Sequence, residues 1–177
     1  NIDLEACSEK GVCLSNVPTY ATEAMAHMAI TSLMACSCSL WQQAAAFGCG
    51  DFQYLEQCHP GDLTHVELHG KTLGLVGGLG TIGKRVAAIA SALGMKVVAS
   101  SSRMAAIGQQ GDITVVSLDE LLEQSDFVSI HCPLNANTKG LIGRVELAKM
   151  KPTAFLINTA RGSIIDQAAL VEALSSK

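Results

Sequence analysis

Positive charge is scarce in this sequence. Its 177 residues carry 12 Lys and Arg against 16 Asp and Glu, a net charge of −4. A partner such as nucleic acid or an anionic membrane asks for a cationic patch, so neither is expected. Aromatic side chains are few, while the apolar content is high enough for one domain with a real core and part of another. The seven cysteines are odd in number and lack paired metal spacing. The closest pair, Cys36 and Cys38, falls in a helical stretch. They read as small buried hydrophobes in a reducing, cytoplasmic setting and not as a disulfide framework. Cys58-His59 has no third and fourth ligand at metal-binding spacing, so no metal is expected. There is no basic segment leading into a signal peptide, and the chain opens on Asn1 and not on Met. It is therefore expected to be a fragment, and the absence of a targeting signal carries no weight.

The informative stretch runs from Leu73 to Gly83. A short apolar run passes into glycines spaced Gly78-x-Gly80-x-x-Gly83. Val86, Ala87, Ile89, Ala90 and Leu93 then repeat at helical spacing, and Lys96-Val-Val-Ala-Ser100 is a second apolar run. Strand, glycine turn, helix and strand make a βαβ unit of about 30 residues. In such a unit the first glycine makes the tight turn and the second lets a pyrophosphate approach the backbone. The third lets helix and strand pack closely. Free N–H groups at the helix start face the phosphate charge. The alternative is a purely structural glycine turn, which the position between strand and helix disfavours.

An NAD-binding unit usually places an acid at the end of the second strand, about 20 residues past the glycines, to bind ribose hydroxyls. Ser101 holds that position, within Ser100-Ser-Ser-Arg103. The hydroxyls of Ser101 and Ser102 with the Arg103 guanidinium suit a 2′-phosphate, so NADP(H) is favoured over NAD(H). Otherwise Arg103 is a solvated loop charge.

Along the chain, Asp3 is placed to cap a helix over 4–10, Gly11 ends it, and 12–14 reads as a strand stopped by Asn16-Val-Pro18. One long helix is predicted from about Thr22 to Phe47, apolar nearly all round. His27, Thr31, Ser32, Ser37, Ser39 and the Gln42-Gln43 pair argue against a membrane span, leaving a core helix that also covers a neighbour or partner subunit. Residues 48–66 read as a surface loop and 67–71 as a tight turn. Further strands are expected at 113–116, 127–130 and 154–157, and helices at 118–124 and 168–174. The fold class is therefore α/β, a Rossmann-like doubly wound parallel sheet with helices on both faces. Ser101, His131 and Arg161 each follow the carboxyl end of a strand, where such sheets bind ligands. They are expected to converge on one crevice.

These motifs resemble those of the D-isomer-specific 2-hydroxyacid dehydrogenases, a family that includes D-lactate, glycerate, hydroxypyruvate and phosphoglycerate dehydrogenases. The likeness spans the chain. Asn1-Ile-Asp-Leu-Glu-Ala6 and Val17-Pro18 look like the exit from the family's substrate domain, and Thr22-Glu-Ala24 opens a helix that packs at its dimer interface. Gly70-Lys-Thr-Leu-Gly-Leu-Val76 with Gly78 to Gly83 resembles the nucleotide fingerprint. Ser125-Asp-Phe-Val-Ser-Ile-His-Cys-Pro-Leu134 with Thr138-Lys-Gly140 is similar to the middle signature. Met150-Lys-Pro-Thr-Ala-Phe-Leu-Ile-Asn-Thr-Ala-Arg-Gly162 is similar to the third.

The resemblance implies residues 1–18 as the end of the substrate domain and its crossover, and 19–177 as an NAD(P)-binding Rossmann domain incomplete at its C-terminus. It implies hydride transfer between nicotinamide C4 and C2 of a 2-oxo or 2-hydroxy acid, with glyoxylate or hydroxypyruvate reduction as the specific expectation, in a homodimer. Arg161 matches the arginine that binds the substrate's carboxylate and carbonyl oxygen, a role that suits a guanidinium. The implied cofactor contacts are Gly78, Gly80, Thr81, Ile82, Gly83, Ser101, Ser102, Arg103, His131, Cys132, Pro133, Thr138, Thr159, Ala160 and Arg161. His131 suits a general acid by residue type, but the match makes it a support of the cofactor pocket. The family's acid pair, a glutamate and a histidine, lies beyond the arginine, past Lys177, so this chain alone is expected to turn over very little. Its last strand is expected to leave an open sheet edge, and its long helix to be exposed without a partner. Val76-Gly77-Gly78-Leu79 is one residue longer than the family's usual junction. The extra glycine is expected either to form a bulge or to shift the phosphate loop. The competing reading is a non-catalytic dinucleotide-sensing module of the corepressor type.

Overall fold

Short β-branched runs alternate with helix-forming ones along the chain. A computed structural model, which describes residues 2–48, 65–101 and 107–176, folds them into a six-stranded sheet with helices on both faces. The strands are β1 (Thr72–Val76), β2 (Lys96–Ser100), β3 (Gly108–Gln110), β4 (Ile113–Val115), β5 (Phe127–Ile130) and β6 (Phe155–Asn158). Their order across the sheet is β3-β4-β2-β1-β5-β6. All pairs are parallel except β3 with β4. From β1 the chain builds outward through β2 and β4, then returns to lay β5 and β6 on the other side. The strand order thus reverses between β1 and β5, where sheets of this kind open a ligand crevice.

Alternation along the strands feeds two cores. Leu73, Leu75, Val97 and Ala99 point to one face, against α2 (Thr22–Ser37) and α4 (Thr81–Ala92). Val76, Val98, Val128 and Ile130 point to the other, against α5 (Leu118–Gln124) and the buried Ile142 and Ile164. α5 lies close on β1 because residue 74 is glycine: a Cβ there would come within 2.3 Å of Ser125 Oγ and 2.6 Å of Leu121 Cδ2. At the amino ends of the strands, the Asp126 carboxylate accepts from the Thr72 N–H at 2.9 Å and pairs with Lys151 Nζ at 2.9 Å, linking β1, β5 and the approach to β6. α6 (Arg144–Lys149) and α7 (Gln167–Ser175) pair through Arg144 and Glu172.

Several elements differ from the sequence reading. The 12–14 run makes no strand. Val12 and Leu14 are exposed, and no described strand lies beside them to satisfy a ladder. Asp3 does cap α1 (Leu4–Glu9), accepting from the Ala6 N–H at 3.0 Å. The long helix is two: α2 ends at Ser37 and α3 runs Leu40–Gly48. The break is at Ser39, whose φ of +50° is left-handed. Ser37 Oγ donates to the Met34 carbonyl, and the Gln43 side chain donates to the Cys38 carbonyl, so both sides of the kink are satisfied. α2 is also not buried all round. Ala26, Ala29, Ile30 and Leu33 face the core, while Met28, Met34 and the following Leu40 and Trp41 are exposed. The purely parallel sheet gains an antiparallel edge, β3, a polar run turned back on β4 through Gly111 at φ +63°. β6 forms the opposite edge of the sheet. Of the remaining expectations, most of the loop at 48–66, with Cys58-His59, falls outside the described residues, as do Ser102 and Arg103.

Candidate functional site

The extra glycine is absorbed in the turn, and no bulge forms. Pairing of β1 with β2 is unbroken from Thr72↔Lys96 to Val76↔Ser100, and Gly77 follows with its N–H donating to the Ser100 carbonyl at 2.8 Å. Gly77 has φ +82°, and a Cβ there would lie 2.7 Å from the Cys132 backbone nitrogen. The chain then winds through Gly78, whose N–H bonds the Leu75 carbonyl, to Gly80, the N-cap of α4. Gly78 and Gly83 are packing glycines. A Cβ on Gly83 would approach the Gly78 carbonyl oxygen to 2.5 Å, and one on Gly78 would meet the Leu75 and Ala99 side chains. The tight crossing sets the start of α4 over the carboxyl end of β1. No acid occupies the first turn of α4, so its dipole and unpaired amides face outward uncompensated.

A cleft of about 540 Å³ lies there. Gly77, Gly80, Ser101, His131, Cys132 and Pro133 line it, with Thr138 at its side. Thr81 and Ile82 instead line a second hollow of about 360 Å³, shared with His131 and with the turn from Asn16 to Thr22. Gly80 and His131 border both. Ser101 and His131 thus meet as expected, but Arg161 lines neither hollow. Thr159, Ala160 and Arg161 follow β6, one strand beyond His131. The Arg161 guanidinium is exposed and folded back, donating from Nη1 to the Ala160 carbonyl at 2.9 Å.

The segment after β5 is braced from within. Thr138 is 6 % exposed, and its hydroxyl donates to the Pro133 carbonyl at 2.6 Å and accepts the Asn135 N–H at 2.8 Å. Thr138 therefore shapes the loop that carries His131, Cys132 and Pro133. The His131 ring is bonded through Nε2 to Ser129 Oγ at 2.9 Å. Burial lowers its pKa from 6.5 to about 4, so the ring is neutral at pH 7 and holds no proton for use as an imidazolium acid. Burial also pushes the Cys132 thiol up, away from reactive thiolate.

Two contributions escaped the sequence reading. Val116, Ser117 and Leu118 border the cleft at the end of β4. Their signal was Ser117-x-x-Glu120, a capping box whose two bonds, Glu120 N–H to Ser117 Oγ and Ser117 N–H to the Glu120 carboxylate, are both present. The turn of Thr19 and Tyr20 facing Thr81 and Ile82 was the second. Thr19 holds φ +66°, unusual for a β-branched residue. Among the described residues no helix is long and apolar enough to cross a membrane.

The family model for the D-isomer specific 2-hydroxyacid dehydrogenase, NAD binding domain, matches residues 33–177. The chain belongs to this family. A glyoxylate reductase of Aeropyrum pernix is 41% identical over 176 residues, 98% of this chain and 52% of the relative. A hydroxypyruvate reductase of Blautia hydrogenotrophica is 34% identical over 99% of this chain and 54% of its own length. Among solved structures, D-lactate dehydrogenase with NAD+ from Lactobacillus jensenii superposes with a TM-score of 0.82 at 36% identity, covering 99% of this chain and 51% of that one. The chain spans about half the length of these relatives. Its fold is the family's dinucleotide-binding domain, and the cofactor class that goes with that domain is a nicotinamide dinucleotide.

Proposed function

We propose that this chain is the dinucleotide-binding part of a 2-hydroxyacid dehydrogenase acting on a small 2-oxo acid of the glyoxylate or hydroxypyruvate kind, with NADP(H) as the preferred cofactor. The observation that carries it is the glycine turn itself. Residues 77–83 leave no room for side chains at Gly77, Gly78 and Gly83, and the turn opens the start of α4 onto a cleft at the β1/β5 switch point. That cradle fits a pyrophosphate. Gly80, Thr81 and Ile82 would hold the phosphates, and Ser101 with Ser102 and Arg103 the adenosine ribose and its 2′-phosphate. The braced segment of His131, Cys132 and Pro133 would wall the cleft. When bound, the nicotinamide supplies the hydride chemistry.

The remaining steps fall to the chain's own residues. Arg161 binds the substrate carboxylate and stabilises charge developing on the carbonyl oxygen. Thr159 and Ala160 lead to it from the end of β6, and His131, neutral and half-buried, helps to wall the cleft. Gly78 and Gly83 act through packing rather than by touching the cofactor. In the same reading residues 1–18 belong with the substrate domain, 19–177 form the cofactor domain, and the exposed Met28, Leu40 and Trp41 belong to a homodimer contact. The setting is reducing and cytoplasmic, in keeping with free thiols at Cys7, Cys13, Cys36, Cys38 and Cys132. The relatives named above are oxidoreductases, and they lend no support to a corepressor-type module.

Calorimetry of NADPH beside NADH tests the reading, with Arg103→Asp as the control. NADPH tighter by about tenfold, a margin of about 1.4 kcal/mol, and lost in the variant is the expected result. NADH binding equal or tighter overturns the 2′-phosphate assignment. Binding of neither overturns the site.

A further inference from the structure

We infer that Asn158 is a positioning residue, whose carboxamide fixes the loop that presents Arg161. The inference rests on the proposed role of Arg161 and extends it to a residue that touches no ligand. Asn158 is the last residue of β6, held in register opposite Ile130. Its side chain bridges the next three residues. Oδ1 accepts the Ala160 N–H at 3.0 Å, and Nδ2 donates to the Arg161 carbonyl at 2.9 Å. One planar group thus satisfies a donor and an acceptor of the same loop, which an ionised carboxylate, an acceptor only, cannot do.

The exit of the loop is held independently. The Arg161 carbonyl also accepts the Ile164 N–H at 3.1 Å, and Ile164 is fully buried. Between these anchors only Thr159, Ala160 and Arg161 depend on Asn158, so losing the carboxamide should loosen that segment and leave the sheet intact. The amide is also neutral. Among the described residues no carboxylate pairs with Arg161, and the contact its guanidinium makes is to the uncharged Ala160 carbonyl. A carboxylate at position 158 would lose the donor to the Arg161 carbonyl and add an anion three residues before the cation. Asn at 158 therefore braces the main chain that carries Arg161 without adding a charge to the loop.

The test uses the full chain with NADPH at saturation and oxamate as the 2-oxo acid mimic, comparing the unaltered protein with Asn158→Ala, Asn158→Asp and Arg161→Gln. Amide exchange at Ala160 reports the brace, and calorimetry reports the two affinities. Asn158→Ala should speed Ala160 exchange and weaken oxamate by about tenfold to a hundredfold, with NADPH affinity held within about threefold. Asn158→Asp keeps the acceptor, so it should restore Ala160 protection while still weakening oxamate. Unchanged Ala160 exchange in Asn158→Ala overturns the brace, and unchanged oxamate affinity overturns the positioning role. A parallel fall in NADPH affinity marks a merely structural residue and also overturns it. If Arg161→Gln binds oxamate normally, the Arg161 assignment fails, whatever Asn158 does. An unaltered chain that binds no oxamate overturns both.

Discussion

His131 gives the chain a dependence of stability on pH that can be worked out from its surroundings. The ring sits at the end of β5, bonded to the buried Ser129 hydroxyl, and burial lowers its pKa from 6.5 to about 4. The unfolded chain takes up this proton near pH 6.5 and the folded chain only near pH 4. The stabilisation is therefore complete above about pH 6.5 and is lost as the pH falls towards 4. At about 1.4 kcal/mol per pH unit the whole interval carries about 3 kcal/mol, and the step from pH 7 to pH 5 about 2 kcal/mol. Asp126 and Glu120 do not confound this window, because both are held below the usual carboxylate range. Burial by itself would raise Asp126, but the Thr72 N–H and the Lys151 ammonium together outweigh it. Glu120 is lowered by its bonds to the Ser117 backbone and hydroxyl. Their contributions fade at lower pH. Urea unfolding of the unaltered chain and of His131→Gln at pH 7, 6 and 5 is the assay. The unaltered chain should lose about 2 kcal/mol across the series relative to the variant. Parallel pH slopes for the two would refute the reasoning. So would an NMR titration placing the His131 midpoint at pH 6 or above, a measurement that does not require the variant to fold.

Asp126→Ala removes the acceptor shared by Thr72 and Lys151 and should cost about 1–3 kcal/mol in chemical unfolding, with Asp126→Asn milder because an acceptor for the Thr72 N–H remains. Gly77→Ala adds a methyl 2.7 Å from the Cys132 nitrogen at φ +82°, and should destabilise by at least about 1–3 kcal/mol and abolish dinucleotide binding by calorimetry. Ser117→Ala removes one half of the capping box and should cost about 1 kcal/mol in thermal unfolding, while Ser117→Thr keeps the cap and most of the stability.

What was legible in the sequence is what local periodicity and turn chemistry decide. The βαβ unit, the strands at 96–100 and 127–130 and the helix at 118–124 follow from alternation, glycine spacing and acids in a first turn. Each is enforced by one strong local rule. The errors arise where a partner decides. Residues 12–14 have the composition of a strand but nothing to pair with, while β3 has a polar composition and is a strand because β4 offers it an edge. The break at Ser39 carries no proline or glycine and is stabilised afterwards, by Ser37 and Gln43 reaching back to the backbone. The same division runs through the site. Gly77 could be read as an extra residue but not as the one that bonds Ser100 and packs on Cys132, since one contact comes from the end of β2 and the other from the segment after β5. Arg161 could be matched to a motif, yet its reach depends on the carboxamide three residues before it, a contact that spacing does not reveal. A residue type can nominate a ligand group. Whether that group is aimed depends on neighbours such as Asn158, Ser129 and Thr138, whose hydrogen bonds exist only once the strands have set them side by side.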